Sequence, residues 1–319
     1  MSRYVLIKGK GGFGNRILSA ATGIVYAELT DRQPVIDWRD NTYDSTGMNV
    51  YKTLFDSPEM PDPESLNDEQ SVAPALWRGR LGMNPSELIS QFDPKKHSDP
   101  FIYRKYCVDL SRLDRETTVV VFWSYLPKLA RLNRALRADP RFRGRSHVAI
   151  NRDVLETWFR PNARIRAKVD ALASADRRPL IGVHIRYTDR KTPLGAFERA
   201  LTTALAKQPD AAIFLATDSG EVERRIRDRF PGVFTLAKWL PEDGGRLHNN
   251  ANIPDATLEA ENALADMWTL GQCDQLLYSS RSTFSVVSAI LGSARGQRAL
   301  DVERANPLLR AKQAFQRYA

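Results

Sequence analysis

Leu180-Ile181-Gly182-Val183-His184-Ile185-Arg186-Tyr187-Thr188-Asp189-Arg190-Lys191 is an apolar run that ends in a dense set of charged and hydrogen-bonding side chains. The apolar half predicts a buried strand. In an open α/β sheet, ligands sit beyond the carboxyl ends of the strands, so the polar half stands where a ligand would bind. Arg186 carries a planar fork of donors that matches two phosphate oxygens at once. Period-two alternation puts His184 and Arg186 on one face, with Asp189 just beyond. The stretch reads as a phosphate grip or, alternatively, as an exposed strand end whose charges pair with one another.

Strands and helices alternate on either side of it. Downstream, the pattern predicts helix 195–207, strand 211–216, helix 219–229, a short strand near 233–237, helix 257–271, strand 274–279, helix 283–292 and a last strand at 299–302. Upstream, Tyr4 to Lys8 reads as a strand, Gly9 to Gly14 as a tight turn, Arg16 to Leu29 as a helix and Pro34 to Trp38 as the next strand. Strand Val119 to Trp123 follows a segment, Asn41 to Pro100, that reads as irregular and suited to shaping an acceptor site. A helical link interrupted by Pro161 joins the two series. The chain is therefore expected to be α/β, with two doubly wound domains, 1–150 and 151–319, facing one cleft.

Composition narrows the function. The 319 residues carry 47 basic and 38 acidic side chains, a net charge of +9. The two signs are interleaved, which argues against nucleic acid and suits a substrate bearing a diphosphate. The densest basic patch, Arg141 to Arg145, reads as a solvated loop between domains. No stretch is long and apolar enough to span a membrane, and the N-terminus has no signal-like core. With only Cys107 and Cys273, a disulfide framework is not expected and a cytoplasmic location is. His97, His147, His184 and His248 are far apart, and no Asp-x-Asp or Gly-x-Ser-x-Gly motif is present. Neither a metal nor a cofactor is expected.

Three further motifs carry chemistry. Gly9-Lys10-Gly11-Gly12-Phe13-Gly14, with Asp37 ending the second strand, has the spacing of a dinucleotide site. It serves equally as a structural turn or as amides facing another ligand. At Thr217-Asp218-Ser219, either Asp218 or Ser219 would cap the next helix while the other faces the ligand. Ser279 to Ser285 is a hydroxyl-rich turn opening a helix, which reads as a phosphate seat or as ordinary capping by Ser282 or Thr283.

Taken together, Gly12-Phe13-Gly14, Val35 to Arg39, Gly182 to Arg186, Thr217-Asp218-Ser219, Leu247-His248, Asp266-Met267 and the turn at 282–285 resemble the rhizobial nodulation fucosyltransferases in order and spacing. His184 to Arg190 and Leu215 to Asp218 also resemble the eukaryotic core α-1,6-fucosyltransferases, and Gly12-Phe13-Gly14-Asn15 the protein O-fucosyltransferases. The resemblance implies a GT-B fold of two Rossmann-like domains, and metal-independent, inverting transfer of fucose from GDP-fucose to a glycan, such as a chitooligosaccharide in α-1,6 linkage. It implies Arg186 and Asp189 as catalytic residues. It places His184, Arg186, Arg190, Asp218, His248, Asp266, Ser282, Thr283 and Phe284 at the GDP-sugar, and Gly12, Phe13, Gly14 and Asn15 at the N-terminal turn. Two positions depart from the eukaryotic pattern: Tyr187 stands for a second arginine and Leu194 for a glutamate implicated in activating the acceptor. The general base is left among Asp37, Asp40, Asp44 and Asp189. The competing readings are an NAD(P)-dependent oxidoreductase using Gly9 to Gly14 and a catalytically silent glycan-binding protein.

Overall fold

The computed structural model describes residues 2–44, 46–174, 178–188, 191–240 and 253–318. The chain divides into two units, Met1–Arg160 with Lys312–Ala319, and Pro161–Ala311. The division thus falls at Arg160 and not near 150. Helix α3 (His147–Trp158) stays with the first unit because it packs on α1 (Phe13–Leu29). The end of α9 (Pro307–Tyr318) also belongs to the first unit. There Lys128 Nζ donates to the Gln316 carbonyl at 2.7 Å, and the Phe101 and Phe315 rings meet edge-on at 5.9 Å.

The first unit is built on a parallel sheet with strand order β2-β1-β4-β3. Its strands are β1 (Tyr4–Lys8), β2 (Gln33–Asp37), β3 (Val72–Ala73) and β4 (Val119–Phe122). Val5, Leu6, Ile7, Val35, Ile36 and residues 119–122 are wholly buried, as a parallel strand covered on both faces requires. Past the sheet, Trp38, Tyr51, Phe55 and Phe159 form an aromatic cluster with ring centroids 5.3–6.1 Å apart. Each such pair adds about 0.5–1.5 kcal/mol beyond its area burial. The segment from 41 to 100 is less irregular than its composition suggests. It contributes edge strand β3 and α2 (Pro85–Phe92), which opens with a full capping box between Asn84 and Glu87. The basic patch at 141–145 is a surface turn inside this unit, where Arg141 pairs with Asp139 and Arg145 with Asp153.

The second unit has a five-stranded parallel sheet of order β9-β8-β5-β6-β7. The strands are β5 (Leu180–Ile185), β6 (Ala212–Thr217), β7 (Val233–Phe234), β8 (Gln275–Tyr278) and β9 (Arg298–Asp301). Helices α4 (Ala163–Ser174), α5 (Leu194–Lys207), α6 (Gly220–Arg229), α7 (Ala256–Gln272) and α8 (Thr283–Ser293) accompany it. The chain winds from β5 through β6 to β7 on one side, then returns to β8 and β9 on the other. Strand order therefore reverses between β5 and β8, the crevice where such sheets bind ligands. Gly182 lets α7 close on this seam: a Cβ there would lie 2.9 Å from Cys273 Sγ.

Candidate active site

The site grows from the carboxyl ends of the two strands that flank this reversal. β5 ends in buried His184, whose Nδ1 shares a hydrogen bond with Ser285 Oγ in the first turn of α8. Its ring stacks on Phe284, with centroids 4.7 Å apart and an interplanar angle of 18°. These contacts tie the strand to the helix across the crevice. Burial, with the Arg186 and Lys238 cations nearby, drives the imidazole down to about 3, so His184 is a neutral hydrogen-bonding ring.

Arg186 directly follows β5. Its carbonyl accepts Thr192 Oγ1 at 2.8 Å and Thr192 N at 3.4 Å, so the backbone that presents the guanidinium is pinned. On the other side, the Ser279–Ser282 turn is braced from the end of β9 and just past it. Ser279 Oγ donates to Glu303, Ser280 N to Asp301 at 3.3 Å, and Arg281 pairs with Glu303 at 3.3 Å. Ser282 holds the N-cap position of α8 but makes no side-chain capping bond. The first-turn amides of Thr283, Phe284 and Ser285 have no helical carbonyl a turn earlier to receive them. A fork of guanidinium donors, a neutral imidazole and a helix N-terminus thus converge, a set suited to a diphosphate.

Asp218 and Ser219 divide their work clearly. Ser219 caps α6 through Val222 N. Asp218 accepts Tyr187 N and Thr188 Oγ1, both at 2.7 Å, which makes it a positioning residue for the chain after Arg186. Asp266 is buried in α7 and forms an ion pair with Lys238, while its other oxygen is buried with no hydrogen-bond partner. Burial pushes this carboxyl up against the opposing pull of Lys238. Asp189, Arg190 and His248 lie outside the described residues. Lys238 was not singled out in the sequence, because a single lysine after a short strand carries no local signal.

The N-terminal turn is occupied by the protein itself. Gly11 has φ +77° and Gly12 is the N-cap of α1. Phe13 stacks on Tyr43 with centroids 4.0 Å apart, and Asn15 N donates to the Gly12 carbonyl at 3.0 Å. The buried Arg16 side chain folds back into the turn. Its Nε donates to the Gly11 carbonyl at 2.7 Å, its Nη2 to Asp40, and its Nη1 lies 2.4 Å from where a Gly9 Cβ would be. The space a pyrophosphate would need holds a guanidinium. Asp37 is not available to a ribose either: it pairs with Lys8 at 2.6 Å and Arg39 at 2.8 Å. Burial opposes its ionisation, but the bonds from Arg39 and the charge on Lys8 outweigh this and hold the carboxyl below its ordinary range. Gly14 continues α1 inside the core.

Leu194 is a core residue at the start of α5. Tyr187 packs against the same core and carries Lys191 Nζ over its ring at 5.4 Å. Of the carboxylates considered as base, Asp44 bonds its own loop at Thr46 and Asp40 is shared with Arg16. Among the described residues, no group of three His, Cys, Asp or Glu is placed to hold a metal.

No protein-family model matches the chain. Nodulation protein Z of Sinorhizobium fredii (strain NBRC 101917 / NGR234) is 26% identical over 312 residues, covering 86% of this chain and 86% of that protein. The crystal structure of the NodZ α-1,6-fucosyltransferase soaked with GDP-fucose matches with a TM-score of 0.64 at 23% identity, over 91% of this chain and 93% of that one. POFUT1 in complex with GDP matches with a TM-score of 0.51 at 13% identity, over 93% and 96%. Along most of its length the chain is thus related in sequence to nodulation protein Z, and it has the GT-B fold of these fucosyltransferase structures.

Proposed function

We propose that the second unit binds GDP-fucose at the crevice between β5 and β8, and that the protein transfers fucose to a glycan, with inversion and without a metal ion. The observation that carries this reading is the meeting of Arg186, His184 and the α8 N-terminus where the strand order reverses. Structures of relatives with GDP-fucose and with GDP support the donor. As GDP departs, charge accumulates on the β-phosphate. A fixed guanidinium and helix amides stabilise that charge without reorganising, which is the usual basis of such catalysis. His184, Asp218 and Asp266 position the nucleotide, and Ser282, Thr283 and Phe284 seat the diphosphate. We assign Arg190 and His248 to the donor as well, and Asp189 to catalysis. A chitooligosaccharide accepting an α-1,6 linkage, and a cytoplasmic location, complete the reading. Among the described residues, no helix is long and apolar enough to cross a membrane.

Calorimetry with GDP, UDP and NADH in EDTA tests the donor half. GDP should bind selectively, and Arg186→Ala should lower transfer by about 10²–10³-fold. Arg186→Lys should recover little, because an ammonium cannot span two phosphate oxygens. Substantial transfer by either variant would remove Arg186 from its role. The Arg16-filled turn and the engaged Asp37 speak against the oxidoreductase. The silent glycan-binding protein keeps one supporting observation, the buried Leu194, and turnover of GDP-fucose with any acceptor excludes it.

A further inference from the structure

Helix α9 is fixed at both ends and leaves one side uncovered. Asn306 opens it, accepting Leu309 N on its side chain at 3.1 Å and Arg310 N on its carbonyl at 3.2 Å, and at the far end Lys128 Nζ donates to the Gln316 carbonyl at 2.7 Å. Leu309, Gln313 and Gln316 are half-buried on the inner side. On the outer side Leu308 is 82%, Phe315 66% and Tyr318 61% exposed, with exposed Ala311 among them. At about 3.6 residues per turn, positions 308, 311, 315 and 318 fall on one narrow stripe. Apolar residues scattered singly over a surface need no explanation, but a stripe that keeps helical spacing is an organised face.

The charge around the stripe is of one sign. From Arg304 to Ala319 the sequence has four basic residues and no acidic one. Arg310 and Lys312 are exposed, and their positions stand on opposite flanks of the stripe. Phe315 meets the Phe101 ring, and Arg104 lies over that ring at 5.9 Å, so a further cation borders the aromatic end. The acid nearest to Phe101 in sequence, Asp99, accepts Phe101 N at 2.8 Å.

These features select the occupant. A second copy of the chain, meeting this face across a two-fold axis, would set its cations against their own kind. An apolar stripe carrying aromatic rings, with cations on both flanks, matches the boundary between acyl chains and charged headgroups. There the apolar side chains enter the interface while Lys and Arg, on their long stems, reach the lipid phosphates. We infer that α9 docks on the surface of an anionic membrane, with Leu308, Phe315 and Tyr318 entering the interface and Arg310 and Lys312 meeting the phosphates. At 12 residues the helix lies on such a surface and does not cross it. None of these residues belongs to the nucleotide crevice, so docking and donor binding are separable.

The test is co-sedimentation of the whole protein with vesicles of phosphatidylglycerol and, separately, of phosphatidylcholine, at low and high salt. The protein should bind the first and not the second, and salt should release it. Leu308→Ser should weaken binding about tenfold or more, through the loss of a buried apolar side chain. Arg310→Gln and Lys312→Gln should each weaken it about fivefold. All three side chains are exposed, so thermal unfolding and GDP affinity should stay as in wild type. The whole protein carries a net charge of +9, so undiminished vesicle binding by Leu308→Ser would mean general attraction to anions and would overturn the assignment. Equal binding to phosphatidylcholine would overturn it as well, and binding to neither vesicle would do so in favour of an acidic protein partner. Light scattering should give Leu308→Ser the same mass as wild type; a mass that falls in the variant would put a second copy on this face instead.

Discussion

Burial and two neighbouring cations, Arg186 and Lys238, hold the His184 imidazole neutral down to about pH 3 in the free protein. The free protein should therefore show no step from His184 near pH 6.5, where an exposed imidazole titrates. The same shift acts on stability. The unfolded chain takes up the proton near 6.5 and the folded chain only near 3, so protons favour unfolding as pH falls between these values. Thermal unfolding of wild type relative to His184→Gln should lose ground from about pH 6.5 to pH 4; a constant difference would mean the ring is not held neutral. Asp218 shows what spacing alone left open. The tripeptide Thr217-Asp218-Ser219 allowed either polar residue to be the cap, and only the position of Tyr187 N and Thr188 settled the division.

At the level of elements, the long apolar strands and amphipathic helices were legible because their periodicity is their burial pattern. The expected strands of the second unit reappear with ends shifted by a residue or a few. Several elements were not read, among them β3, α2 and α9. β3 is two residues long and exists only because β4 offers Val72 and Ala73 a partner edge. α2 had a readable start, Asn84-Pro85-Ser86-Glu87, hidden in a segment whose overall composition suggested loop. α9 had Asn306 and Pro307 at its start, with Leu309 N donating to Asn306 Oδ1 at 3.1 Å. Removing the α2 cap with Asn84→Ala should cost about 1 kcal/mol, read by urea unfolding, with GDP binding unchanged. Gly182→Ala should instead reach the nucleotide crevice. Its Cβ would push on Cys273 and Leu270 at the seam beside β5, at a cost of about 1–3 kcal/mol. GDP affinity should fall with it, and unchanged GDP affinity would show that the seam does not shape the crevice.

Across the whole molecule, two lysines were folded into places that charge alone would avoid. Lys128 is fully buried, over the Tyr103 ring at 4.8 Å and against the Gln316 carbonyl, and burial with neighbouring Arg131 and Arg104 lowers it to about 8. Burial also lowers Lys10 to about 8, against the pull of Asp40. Both titrate near 10.5 when unfolded, so between about pH 8 and 10.5 the unfolded chain binds more protons and stability rises with pH. The unfolding temperature of wild type should accordingly gain on that of Lys128→Met as pH goes from 7.5 to 10, and a gap that narrows would contradict the burial of a charged amine.

Taken by itself, the sequence determined the alternating α/β pattern, the strand that ends in His184 and Arg186, and the likeness to the fucosyltransferases, because these depend on local periodicity and on residues adjacent in the chain. Only the tertiary structure decided that Arg16 fills the glycine turn, that Asp37 is consumed by Lys8 and Arg39, and that Lys238 meets Asp266. It also brought Lys10 and Ser86 together beside Asp40. Apart from Arg39 on Asp37 and the Gly11 carbonyl on Arg16, these are contacts between residues distant in sequence, and a buried charge takes whichever partner the packing brings within reach.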